Sequence, residues 1–236
     1  METLIDSSER KSRCVDVVLC IDGTGSMTSY IEAVKKSAMK FRDDLIEQMV
    51  RLGSDIDAAR VKVIVFRDYG HDGGSAMQFS RFFQLPQDEE DYAKFLVDVN
   101  AGGGGDDPEN GLEAVYFAMQ SEFMTGNNDR QVIVLFTDAD AHDLRKFSGL
   151  GGYPEDMVDE AGLKRYWLGI SQEGTSYLNQ RTKRLVIFAP PGTKYDQLAT
   201  DLDKSWYQPT TFKDGGMGQG MNFDDVIALI AKSATS

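Results

Sequence analysis

The sequence predicts one α/β domain built on a doubly wound, mostly parallel six-stranded sheet with helices on both faces. Short apolar runs rich in β-branched residues indicate strands covered on both sides, and they alternate with longer segments of helical periodicity. One segment alternates apolar and polar residues, which is typical of an antiparallel edge strand. A chain of 236 residues can bury a core without disulfides or a structural metal. We expect residues 15–236 to form this domain and residues 1–14 to be an N-terminal extension.

The strands are predicted from two kinds of pattern. Four nearly continuous apolar runs indicate buried strands: Val15–Ile21, Val61–Phe66, Val132–Phe136 and Leu185–Ala189. The alternating segment Met77–Phe83 follows the second run after a short glycine-rich connection, and we expect it to be the antiparallel edge strand. A weaker signal at Ser205–Phe212 gives the sixth strand.

Three segments carry apolar residues at helical spacing, and each predicts a helix with one buried stripe. The first lies between the first two strands, the second precedes the third strand, and the last ends the chain. Their stripes are Ile31, Val34, Ala38, Phe41, Leu45 and Met49; Leu112, Val115, Tyr116, Met119 and Phe123; and Phe223, Val226, Ile227 and Ile230.

The stretch from residue 139 to residue 183 has no clear pattern and leaves two interpretations open. As a loop region at the carboxyl end of a strand, it would shape ligand specificity. Alternatively, it contains a structural helix from about Pro154 to Trp167.

Sequence composition limits the cellular compartments and the classes of partner that we expect for this protein. The N-terminus lacks the apolar core of a signal peptide, and no stretch is long and apolar enough to span a bilayer. We therefore expect a soluble, cytoplasmic protein. A net charge of −13 repels phosphate backbones and anionic membrane surfaces, so neither nucleic acid nor a membrane is expected as a partner. Cys20 lies inside the first predicted strand, where a small buried apolar residue is the simplest interpretation.

The segment Asp22-Gly23-Thr24-Gly25-Ser26 directly follows the first predicted strand. It places a carboxylate and two hydroxyls at positions i, i+2 and i+4 of a glycine-rich loop. Such oxygens can converge on one hard cation such as Mg²⁺. Taken alone, the segment is equally typical of a turn and a helix cap.

Two further acidic segments favour the metal interpretation. One is the loop from Gly102 to Glu109, and the other is the strand end at Asp138. In a doubly wound sheet, loops from two central strands meet where the strand order reverses, so Asp22 and Asp138 should face one crevice. In the second loop we expect Asp106 to be the ligand, with Asp107 as the next candidate. A helix starting at Pro108 would use Asp107 as its N-cap.

These segments resemble the von Willebrand factor A family, whose metal-ion-dependent adhesion site (MIDAS) combines Asp-x-Ser-x-Ser, a Thr or Asp in a second loop, and an Asp after a buried strand. The resemblance implies that Mg²⁺, or Mn²⁺ or Ca²⁺, is held by Asp22, Thr24, Ser26, Asp106 and Asp138. It also implies that an exposed Asp or Glu of a protein partner fills an open coordination position. Thr24 replaces the more usual Ser, but both present a hydroxyl oxygen.

The resemblance has two further implications. Intracellular family members often work in assemblies beside an AAA-type ATPase, a kinase or a phosphatase. Asp140 and His142 resemble the Thr-Asp-Ala-x-x-His ending of some members, where they would either order the loop or form a solvated pair.

A metal-dependent phosphoryl-transfer enzyme is the main alternative, because Asp-Gly-Thr-Gly at a strand end also resembles the phosphate-binding loops of actin-like kinases. Haloacid-dehalogenase-type chemistry would need an Asp where Thr24 stands, and no well-placed catalytic lysine is evident. The sequence contains no zinc-binding cluster, nucleophile elbow or phosphate loop. We therefore predict a binding module without catalytic residues. A structural scaffold with a vestigial metal site is the third interpretation.

Overall fold

The structure, a computed structural model, describes residues 13–37, 40–54, 56–104, 107–170, 178–210 and 223–235, except for the side chain of residue 223. These residues form one mostly parallel seven-stranded sheet with helices on both faces. The predicted α/β fold class is confirmed. The predicted division into residues 1–14 and 15–236 stays a prediction, although the first strand already begins at Cys14.

The strands in chain order are β1 (Cys14–Asp22), β2 (Ala58–Phe66), β3 (Met77–Phe79), β4 (Phe83–Leu85), β5 (Arg130–Phe136), β6 (Lys183–Ala189) and β7 (Ser205–Pro209). The helices are α1 (Thr28–Ser37), α2 (Phe41–Arg51), α3 (Tyr69–Asp72), α4 (Glu89–Asp98), α5 (Gly111–Met119), α6 (Glu160–Trp167), α7 (Lys194–Asp201) and α8 (Phe223–Thr235). None of the described helices is long and apolar enough to cross a membrane.

The strand order is β3-β2-β1-β5-β6-β7, and β4 also pairs with β2. Strands β3 and β4 are both antiparallel to β2, whereas the other neighbours are parallel. The predicted edge strand is therefore two short strands, and the sheet has seven strands instead of six. The break falls at Ser80, whose hydroxyl accepts a hydrogen bond from the Val63 N–H at 2.8 Å in place of a main-chain carbonyl.

Both faces of the sheet are buried because alternate residues of each strand feed two hydrophobic clusters. Val17 and Leu19 of β1 pack with α1, α2, α4 and α8. Val18 and Cys20 face the opposite side, where α5, α6 and α7 pack. Cys20 is a buried free thiol, as predicted.

Three elements differ in extent from their predictions. The first predicted long helix is two helices, α1 and α2, and residue 38 of its stripe lies outside the described residues. Helix α6 begins at Glu160 because the Asp159 side chain accepts the Gly162 N–H at 2.7 Å, which caps the helix. Strand β7 ends at Pro209, and the last two residues of its predicted range lie outside the described part of the chain.

Candidate functional site

The candidate site lies at the carboxyl ends of β1 and β5, which are neighbours in the centre of the sheet. From β1 the chain builds the sheet outward through β2, and it returns on the other side of β1 as β5. An α/β sheet leaves a crevice at such a switch point. Here the crevice is a cleft of about 350 Å³ lined by Thr24, Gly25, Ser26, Gly103, Gly104, Asp107, Glu109, Asp138 and Ala139.

The first loop is organised around Asp22, the fully buried last residue of β1. Its Oδ1 accepts hydrogen bonds from the Thr24 N–H at 2.9 Å and the Thr24 hydroxyl at 2.6 Å. The Thr24 Oγ1 lies 3.2 Å from the Ser26 Oγ. Local hydrogen bonding therefore gathers the three predicted oxygen side chains, with Asp22 beneath the cleft and Thr24 and Ser26 in its wall.

The carboxyl end of β5 contributes the second group. Asp138 lies in the cleft and accepts a hydrogen bond from Ser26, while partial burial raises its pKa. Thr137, which is not among the predicted ligands, donates its hydroxyl to the Asp22 Oδ2 at 2.7 Å. This bond joins the ends of β1 and β5, so four of the five predicted residues come together.

The glycine loop is held in place by side chains that follow β2. The Arg67 Nε donates to the Gly102 carbonyl at 2.7 Å, and the Asp72 Oδ2 accepts the Gly104 N–H at 2.9 Å. Gly104 has a φ of +70°, and a Cβ there would lie 2.6 Å from the Thr24 side chain. Asp106, the fifth predicted ligand, lies outside the described residues.

The prediction that Asp107 caps a helix starting at Pro108 is wrong. Helix α5 begins at Gly111. The preceding residues instead bridge to the segment after β5, because the Glu109 N–H donates to the Asp140 carbonyl and the Glu109 carbonyl accepts from the His142 N–H, both at 2.9 Å. The Asp107 Oδ1 accepts the Asp140 N–H at 2.8 Å, which makes Asp107 part of the cleft wall.

Glu109 is a cleft residue that was not predicted as a ligand. It is 4% exposed, and its Oε2 has no hydrogen-bond partner. Burial, with the nearby carboxylate of Asp22, raises the pKa of Glu109 to about 9. Burial also raises the pKa of Asp22 to about 6, although hydrogen bonds from Thr24 and Thr137 oppose this effect. The cleft and the buried Asp22 beneath it thus bring together carboxyl groups whose ionisation is disfavoured by burial.

Asp140 and His142 order the surrounding loops and are not a solvated pair. The Asp140 Oδ1 accepts the Lys194 N–H at 2.8 Å. The buried His142 ring places its Nε2 3.3 Å from the Asp68 Oδ1 and its Nδ1 2.9 Å from the Lys146 Nζ. Neither residue lines the cleft.

The donor set fits a hard cation in its chemistry. Asp22, Thr24, Ser26 and Asp138 offer only oxygen, the ligand type that Mg²⁺, Mn²⁺ and Ca²⁺ prefer. Within the described part of the chain, no group of three or more His, Cys, Asp or Glu side chains could hold a metal ion. Among the described residues, Asp22 and Asp138 would offer such a cation two carboxylates, and Thr24 and Ser26 would offer it two hydroxyls.

Comparison with known proteins identifies the family of this chain. Alpha-protein kinase vwkA of Dictyostelium discoideum is 28% identical over 155 residues, which are 66% of this chain and 23% of that protein. Two crystal structures of the pilus adhesin SpaC from Lactobacillus rhamnosus GG, one in an open conformation, align over 96% of this chain at 12% identity. Their TM-scores are 0.53 and 0.52, and the alignments cover 31% and 30% of the adhesin, so this likeness shows the fold alone.

The chain spans less than a quarter of the length of the Dictyostelium relative. The pattern of the von Willebrand factor type A domain matches residues 16–187, which run from β1 into β6 and include every predicted site residue. The chain therefore belongs to the von Willebrand factor type A domain family, whose members are protein-interaction and adhesion modules.

Proposed function

We propose that this domain is a divalent-metal-dependent protein-binding module. The cation, Mg²⁺ or alternatively Mn²⁺ or Ca²⁺, is held by Asp22, Thr24, Ser26, Asp106 and Asp138. An exposed Asp or Glu of the partner completes the coordination. The proposal depends chiefly on one observation, which is that Thr24, Ser26 and Asp138 line an open cleft and are joined by hydrogen bonds to each other or to the buried Asp22.

The charge of the molecule supports a role for the cation in recognition. A chain of net charge −13 repels an acidic partner, and the cleft itself carries Asp107, Glu109 and Asp138. A divalent cation would be the strongest local positive charge and would give a partner carboxylate a directional anchor. It would also compensate the buried Asp22.

A non-enzymatic role is part of the proposal. The described residues that line the cleft include no His, Lys or Cys, and the hydroxyls and carboxylates there are the groups that the proposal assigns to the cation. The partner is proposed to belong to a cytoplasmic assembly containing an AAA-type ATPase, a kinase or a phosphatase.

Metal binding is tested by titrating the purified chain with Mg²⁺ and Mn²⁺ in a calorimeter. We expect one site, with affinity reduced about tenfold or more by Ser26→Ala, because losing a hydroxyl ligand weakens coordination directly. Ser29→Ala removes a hydroxyl from an exposed position in α1 and should leave the affinity unchanged. Equal affinities of the wild type and the Ser26 variant would contradict the assignment. No binding by the wild type would favour the scaffold alternative.

Partner recognition is tested with the intact assembly by capture in Mg²⁺ and in EDTA. Capture that requires the metal and fails with Ser26→Ala supports the binding role. Capture that is equal in Mg²⁺ and EDTA contradicts it. Turnover of a phosphate ester that is lost on Ser26→Ala would favour the phosphoryl-transfer alternative.

A further inference from the structure

We infer that the groove between α6 and α7 receives one apolar side chain, the size of leucine or phenylalanine, from the same partner whose carboxylate reaches the cleft. This inference rests on the proposed function for the identity of the partner. The groove itself is a feature of the described structure and can be tested without the partner.

The groove has an apolar floor that is already assembled. Its volume is about 250 Å³. Its floor is lined by Leu163 of α6, Leu198 of α7, Leu112 and Leu144. All four leucines are at most 6% exposed, so packing within the domain fixes them before any partner arrives. A preformed floor lowers the entropy cost of binding.

Paired charges surround this floor. Lys194 lies 2.5 Å from Asp143, and Lys164 forms an ion pair with Asp201; all four residues line the groove. Because both lysines are paired and Glu160 adds a third carboxylate, the groove lining offers no unpaired lysine to an acidic side chain. An apolar centre inside a polar rim is the usual anatomy of a protein-protein contact.

The size of the groove selects a side chain rather than a larger ligand. An apolar cavity of roughly 150 Å³ lined by similar residues can hold benzene, so about 250 Å³ accommodates an isobutyl or benzyl group. Sites for drug-sized ligands and cofactors usually begin near 300 Å³ and offer several directed polar groups. Here the lysines and Gln197 bond to Asp143 and Asp201, and Glu160 accepts the Leu144 N–H.

The groove adjoins the cleft through two hydrogen bonds. The Asp107 Oδ1 in the cleft wall accepts the Asp140 N–H, and the Asp140 Oδ1 accepts the Lys194 N–H at the groove rim, both at 2.8 Å. Leu112 in the floor is only three residues beyond Glu109 in the cleft. One partner can therefore place a carboxylate in the cleft and an apolar anchor in the groove.

The groove is tested first on the intact chain without metal, using isobutanol as a mimic of the leucine side chain. In methyl NMR spectra, isobutanol should shift the resonances of the four floor leucines. Gln197→Trp should abolish these shifts, because Gln197 is exposed on α7 and lines the groove. Thr200→Trp, at an exposed α7 position outside the lining, should keep them. If the floor resonances of the wild type do not move, the inference is wrong.

The link to the partner is tested with random twelve-residue peptides selected in Mg²⁺ against the wild-type chain. We expect peptides that share an acidic residue and one leucine or phenylalanine, and that bind Gln197→Trp at least about tenfold more weakly than Thr200→Trp. If the peptides need Mg²⁺ but bind both variants equally, the inference that the groove binds the partner is wrong and the proposed function still stands. If the wild-type chain binds no metal, the proposed function itself is wrong.

Discussion

Buried carboxyl groups are the main residue-scale feature of this domain, and they extend behind the cleft. Glu113 of α5 is completely buried, and its Oε1 accepts the Tyr153 hydroxyl at 2.9 Å. Burial raises the pKa of Glu113 to about 7, although this hydrogen bond opposes the effect. Ionised Glu113 is therefore less favourable in the folded chain than in the unfolded chain.

This difference predicts a pH dependence of stability. The pKa of Glu113 is raised from 4.5 in the unfolded chain to about 7 in the folded chain. Below pH 4.5 both states are protonated and there is no penalty. As the pH rises from 4.5 through 7, the unfolded chain loses this proton before the folded chain does, so the free energy of unfolding falls by about 3 kcal/mol. Glu113→Gln should remove that fall while keeping an acceptor for Tyr153.

The check is urea unfolding of both proteins from pH 4.5 to pH 8. Across this range, the unfolding free energy of the wild type should fall by about 3 kcal/mol relative to that of Glu113→Gln. Glu122→Gln, at an exposed position, should show no such trend. A constant difference for Glu113→Gln would mean that the carboxyl group titrates at its ordinary pKa.

At the scale of elements, the strands of the sheet were predictable because their own sequences encode burial on both faces. The division of the predicted edge strand at Ser80 was not predictable, because it depends on a hydrogen bond between the Ser80 hydroxyl and the Val63 N–H in another strand. The start of α5 at Gly111 likewise depends on hydrogen bonds from Glu109 to residues that follow β5.

The same distinction applies to the candidate site. Asp22, Thr24 and Ser26 are close in sequence, and the carboxyl-end rule for parallel strands adds Asp138. Glu109 and Thr137 could be identified as cleft and supporting residues only after the fold had brought their segments together. An acid directly after Pro108 and a hydroxyl directly before Asp138 were the available signals.

A backbone contact holds the segment after β5 against the segment that contains α3. Gly152 has a φ of +92°, and a Cβ on it would lie 2.5 Å from the Gly74 Cα. Rotating a side chain cannot relieve the positive φ of residue 152 or the overlap of its added Cβ with the Gly74 backbone. Gly152→Ala should therefore lower the free energy of unfolding by about 2 kcal/mol or more.

Gly151→Ala is the matched control for this contact. Gly151 is the adjacent residue, and a Cβ there would meet nothing within 4 Å. We expect its unfolding free energy to stay within about 0.5 kcal/mol of the wild type in the same thermal or urea experiment. Equal stability of the two alanine variants would show that the two segments are not held together by this approach.

At the scale of the whole molecule, net charge and the proposed cation make separable contributions to stability. A net charge of −13 destabilises the compact state through self-repulsion, and any salt screens part of that repulsion. A cation bound specifically to the folded state adds stabilisation by mass action, about 2.7 kcal/mol at one hundred times its Kd. Screening depends on ionic strength, whereas specific binding depends on the identity of the ion and on the site.

Thermal unfolding in MgCl₂ and in NaCl at matched ionic strength separates these contributions. With Mg²⁺ at one hundred times its Kd, the wild-type Tm should be about 5 to 10 °C higher in MgCl₂ than in NaCl. Asp138→Asn should lose that excess, because it removes a carboxylate at the cleft. Asp98→Asn removes the same charge from an exposed position at the end of α4 and should keep the excess. Equal Tm values for the wild type in the two salts would mean that Mg²⁺ acts on this domain only by screening its charge.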